Sequence, residues 1–150
     1  MIKYIDEINN ILNDFLKPFD CTAVFDKDFA YYSDLNTITY SLIVLDSCSK
    51  TFSCFTKALF PEINADIFLW SFLHELGHNM TEDDFDEDEW NQYRKDAVSC
   101  SNDYQYYNLP IEKAATAWAG EYMLTHTEEV AILWNKLSST IAEFYEKLEG

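Results

Sequence analysis

His74, Glu75, Leu76, Gly77 and His78 place two imidazoles four residues apart. On a helix, positions i and i+4 lie one turn apart on the same face, so both rings can hold one ion. Glu75, beside the first histidine, then faces a water on that ion instead of the ion itself. This is the HExxH arrangement of zinc hydrolases, in which the glutamate is the general base. The chain has 3 histidines, and the motif uses two of them. Burying these polar groups without a metal requires several dedicated hydrogen-bond partners. A zinc site is the simpler expectation.

A catalytic zinc takes three protein ligands and keeps one position open. In the extended zincin pattern a glycine and then a ligand follow the second histidine. Those offsets here hold Thr81 and Asp84, so the glycine turn is missing. Glu112 is the better candidate. It opens the segment Glu112-Lys-Ala-Ala-Thr-Ala-Trp-Ala119, in which Ala115, Thr116 and Ala119 share its helical face. Small residues on that face let the helix approach the histidine helix closely, within reach of a short carboxylate. His126 and Asp103 stay open as third ligands, as does a local role for Glu112 at a helix N-terminus. For a donor to an oxyanion the candidates are Tyr104, Tyr106, Tyr107 and His126.

The elements that must position these groups follow from periodicity. Ile5, Ile8, Leu12, Phe15 and Leu16 make one stripe of a helix over 2–17, ending before Pro18. Residues 21–25 and 29–32 have strand character, with Asp26-Lys27-Asp28 as the turn between them. Residues 36–45 alternate and then become continuously apolar, as a strand entering a core does. The Ser- and Thr-rich stretch 47–60 suits a loop with a short helix. From Pro61 the chain is helical: an apolar helix over 62–80 carrying the histidines, a polar one near 90–105, then helices over 111–125 and 127–148. One helix, a small sheet and a helical half make an α+β fold in a single domain spanning 1–150.

With both motifs placed, a resemblance is visible. HELGH at 74–78 followed by Glu112-x-x-Ala115-x-x-Trp118-Ala119 resembles the ImmA/IrrE family of zinc metallopeptidases, a gluzincin-like group of zincins. Asp34-Leu-Asn-Thr-Ile-Thr-Tyr40 is similar to the strand those enzymes place before the active-site helix, so the likeness covers about residues 25–125. It implies zinc on His74, His78 and Glu112, Glu75 as general base, and cleavage of a protein substrate, often a transcriptional repressor. The strand near 36–42 would suit pairing with an extended substrate. Thr116 stands where such motifs commonly have Asn or Asp, so support for a ligand comes there from a hydroxyl or is absent. Trp118 replaces the usual Phe, and the gap from His78 to Glu112 is long. Peptide deformylase shares HExxH but takes a cysteine ligand from a Gly-Cys-Leu-like segment that this chain lacks.

Charge narrows the partners. Across 150 residues, 10 Lys and Arg oppose 27 Asp and Glu, a formal charge of −17. Phosphate contacts need clustered cations, so direct binding to nucleic acid and to anionic membranes is disfavoured. A basic protein or peptide is favoured instead. The run Glu82–Glu89 mimics the first positions of a calcium loop, but Glu89 replaces the required Gly and Lys95 the closing Glu. A solvated loop is expected there, with overhang of a cleft as the sharper alternative. The rival to an enzyme is an acidic, inactive module that imitates nucleic acid towards a basic partner. Cys21, Cys48, Cys54 and Cys100 form no CxxC pair and read as mostly buried thiols. The first residues lack the pattern of a secretory signal, and no apolar run is long enough to span a bilayer. A cytosolic protein is expected.

Overall fold

A computed structural model describes residues 2–42 and 46–149, side chains at 46–48 excepted. The fold is α+β, mostly helical, with a three-stranded mixed sheet among the described residues. Two compact units form. One joins the first 43 residues to the segment from His126 onward, and the other is the segment 44–125.

In the first unit, α1 (Ile2–Leu16) buries Ile8, Leu12 and Leu16, one residue per turn. It packs on α7 (Thr127–Glu149), whose buried residues Leu133, Leu137, Thr140 and Phe144 repeat at three- and four-residue steps. The sheet contains β1 (Thr22–Phe25), β2 (Ala30–Tyr32) and β3 (Thr37–Tyr40) in the order β1-β3-β2. β3 runs parallel to β1, pairing Thr22 with Thr37, and antiparallel to β2, pairing Ala30 with Thr39. The segment 26–28 therefore joins strands that are not neighbours. Asn36, in the left-handed region at φ 47°, ends a short 3-10 turn over Ser33–Leu35 and redirects the chain into β3. Ladder pairing in β3 stops at Tyr40, short of the strand expected to 45. Ser41 and Leu42 are buried beyond it, and 43–45 lie outside the described residues.

Side chains tie helix and sheet together. Asn13 donates from Nδ2 to the carbonyls of Asn9 (2.8 Å) and Ala23 (3.1 Å) and accepts from the Ala23 amide (2.8 Å). Tyr40 donates its hydroxyl to Asn9 Oδ1 at 2.6 Å, and Tyr145 of α7 donates to the Leu42 carbonyl.

The second unit contains α2 (Asp46–Leu59), α3 (Ile67–Thr81), α4 (Glu87–Ser99), α5 (Asp103–Tyr107) and α6 (Pro110–Thr125). The stretch expected as loop with a short helix is a regular helix, α2, because Phe52 and Phe55 bury on one face. The histidine helix begins at 67 instead of 62. Asp66 is extended (ψ 147°) and caps it, its Oδ1 accepting from the Phe68 amide at 2.8 Å. The polar helix expected near 90–105 divides into α4 and α5 around the extended Cys100, with Asn102 capping α5.

The acidic run is ordered structure instead of a loop. Glu82–Asp84 form a 3-10 turn, and Asp86 with Glu89 closes a reciprocal capping box at the start of α4. Acidic side chains in that first turn also face the positive end of the helix dipole. Among the cysteines, Cys21 is buried but Cys54 is exposed and Cys100 half-buried, which corrects the expectation of mostly buried thiols. Among the described residues, no helix is long and apolar enough to cross a membrane.

Candidate metal centre

α3 and α6 make the most extensive helix packing of the second unit. Gly77 permits it: a Cβ there would lie 2.3 Å from the carbonyl oxygen of Ala115. Ala115, Thr116 and Ala119 are fully buried at this contact. The approach brings the first turn of α6 beside the last turns of α3, and with it Glu112 beside the two histidines.

Glu112 Oε1 lies 2.9 Å from His74 Nε2 and 3.1 Å from His78 Nε2. The side chains of His74, His78 and Glu112 are 7%, 12% and 4% exposed, so bulk water does not satisfy them. Their three ligand atoms lie within 4.8 Å of one another. Tetrahedral donors at first-row-metal bond lengths sit about 3.3 Å apart. The three atoms are close enough to meet on one ion.

Hydrogen bonding beside the cluster fits the same conclusion. Thr116 Oγ1 donates to the Glu112 carbonyl one turn back (3.3 Å) and lies 2.9 Å from His74 Nδ1. With its hydrogen directed to the carbonyl, the hydroxyl accepts from Nδ1–H, and the Nε2 lone pair of His74 faces Oε1. A shared hydrogen or a metal ion can bridge the 2.9 Å between Nε2 and Oε1. A buried group of two imidazoles and one carboxylate, with the outer nitrogen of one imidazole already anchored, can hold a metal ion.

Electrostatics agree in direction. Burial alone raises the Glu112 carboxyl, but hydrogen bonds and charge from His74 and His78 outweigh it and hold Glu112 well below the usual carboxylate range. Burial disfavours charge on His78, yet the hydrogen bond and charge of Glu112 prevail and raise it. Glu75 is displaced upward, by burial first, while the two histidines pull it back. It is 8% exposed, and among the described residues no hydrogen bond holds its carboxylate.

The second oxygen of Glu112 is also occupied. Oε2 accepts from the hydroxyls of Tyr106 (2.9 Å) and Tyr93, which lie 3.1 Å from each other. Burial and then the charge of Glu112 raise both phenols above their ordinary value, so both remain donors. Tyr106, a candidate oxyanion donor by sequence, is thus bound to the ligand carboxylate. Tyr107 packs its ring on Phe52 and Phe55, and Tyr104 is 52% exposed with its ring against Phe55. Asp84, Asp103 and His126 add no ligand atom to the cluster. Tyr93, on α4, is a partner of Glu112 that no motif in the sequence marks.

Compared with protein-family models, with characterised proteins and with solved structures, the chain matches none of them.

Proposed function

We propose that this protein is a zinc-dependent endopeptidase acting on a protein substrate in the cytosol, with Glu75 as general base. The observation that carries the reading is the meeting of both HExxH imidazoles on one oxygen of Glu112, beside a buried glutamate whose carboxylate has no hydrogen bond among the described residues. His74, His78 and Glu112 would hold the zinc, and when bound the ion supplies Lewis-acid charge at neutral pH. The ImmA/IrrE likeness rests on these same residues, and a transcriptional repressor is the substrate it suggests. The excess of acidic residues suits a basic substrate segment. Free thiols at Cys54 and Cys100 suit a reducing compartment.

The chain's own groups divide the work. Thr116 fixes the ring of His74. Glu75 takes a proton from the attacking water on a carboxylate oxygen and returns it to the leaving amine nitrogen. Burial favours this, because a carboxylate displaced upward is a stronger base than a solvated one.

Elemental analysis of wild type and Glu112→Ala, purified without added metal, tests the reading. About one zinc per chain is expected in wild type and much less in the variant. No zinc in wild type, even after zinc is supplied, overturns the peptidase and leaves an acidic binding module in its place.

A further inference from the structure

The two tyrosines on Glu112 have no place in the mechanism above. We propose that Tyr93 and Tyr106 are positioning residues that keep Glu112 a one-oxygen metal ligand and so preserve an open coordination position. The inference rests on the metal reading of the site. A carboxylate oxygen has two lone-pair directions. On Oε2 both are used, one by the Tyr93 hydroxyl and one by the Tyr106 hydroxyl. Only Oε1 remains directed to the two histidines. A glutamate free at both oxygens can clasp an ion through two bonds and fill the position a substrate needs.

The phenols suit this task better than solvent does. Each is partly buried, so water does not readily replace it. With both protons directed to Oε2, the two hydroxyl oxygens sit side by side, 3.1 Å apart, on that one acceptor. They arrive from separate helices, α4 and α5, and so fix the carboxylate plane from outside α6. Glu112 itself sits in the first turn of α6, where its backbone is anchored to the histidine helix through the Ala115 contact.

Cobalt(II) absorption spectroscopy tests this with the metal alone, without a substrate. Wild type loaded with cobalt should show the intense visible bands of a four-coordinate ion. The Tyr93→Phe/Tyr106→Phe double variant should lose most of that intensity as the freed Oε2 binds and the ion becomes five-coordinate. Loss of packing alone would shift the thermal midpoint and leave the bands unchanged. A double variant with the wild-type spectrum overturns the positioning role, and assigns the tyrosines to packing or to substrate. If the double variant does not fold or load, Tyr93→Phe and Tyr106→Phe separately give the reading, since each opens one lone pair; unchanged spectra in both overturn it. Wild type that takes up no cobalt overturns the metal site itself, and this inference with it.

Discussion

Gly77 of α3 faces the backbone of Ala115 in α6 so closely that a methyl group at position 77 would lie 2.3 Å from the Ala115 carbonyl oxygen and 3.0 Å from its Cα. Backbone, unlike a side-chain tip, cannot rotate aside. Gly77→Ala must therefore push the helices apart, at about 1–3 kcal/mol of stability. The same displacement withdraws Glu112 from the histidines, so metal content should fall along with the melting temperature. A variant as stable and as metal-rich as wild type would show that the helix approach does not set the site.

Thr116 is the next link. Its hydroxyl is the partner of His74 Nδ1, and removing it leaves that nitrogen buried without one. Thr116→Val keeps the shape and should weaken metal affinity about 10–100-fold, the usual effect of deleting a partner of a ligand. Thr116→Ser restores the hydroxyl and should recover most of the loss. Competition with a chromophoric chelator measures both; equal affinities for Val and wild type would remove Thr116 from the site.

These residues also mark how much was legible beforehand. His74, His78 and Glu112 could be read because each lies in a local pattern: an i, i+4 pair, and a carboxylate above a stripe of small residues. Thr116 was legible as a hydroxyl in the place of an amide or acid. Tyr93 was not, because it meets Glu112 only where α4 packs against α6, which no periodicity encodes. The sheet shows the same limit. Strand character at 22–25 and 30–32 is local, but the placement of β3 between them depends on the partners each edge finds. α3 starts later than Pro61-Glu62 suggests, because the cap at Asp66 depends on an extended backbone that composition does not reveal.

Asn13 offers a test in the other unit. Its side chain satisfies both backbone groups of Ala23, a residue 4% exposed. Asn13→Ala leaves that N–H and C=O without their partner, at about 1–3 kcal/mol per orphaned group. Asn13→Asp keeps the acceptor and loses the donor, so it should fall between Ala and wild type in urea midpoint. Equal midpoints for all three would mean that water replaces the amide.

Glu75→Gln separates catalysis from binding. The amide preserves size and cannot accept the proton, and Glu75 contributes no atom to the three-ligand group. Zinc content should stay at the wild-type level. Cleavage of a fluorogenic peptide library should drop by about 10²–10⁴, the usual contribution of a general base. Wild-type turnover in this variant would refute the assignment of Glu75.

Metal removal tests whether the cluster contributes to folding. Without an ion, two imidazoles and a carboxylate must share protons in a site almost closed to water. An ion that binds only the folded chain adds about 4 kcal/mol at a thousandfold excess over its Kd. For a chain of this length that corresponds to roughly 8–16 °C in melting temperature. Zinc-loaded wild type should therefore lose about that much on treatment with a strong chelator and regain it on adding zinc back. Glu112→Ala, lacking one ligand and the partner of both imidazoles, should melt lower and respond far less to either treatment. A wild type whose melting temperature ignores both chelator and zinc would mean that proton sharing alone holds the cluster, with His74, Glu112 and His78 serving as a buried hydrogen-bond network.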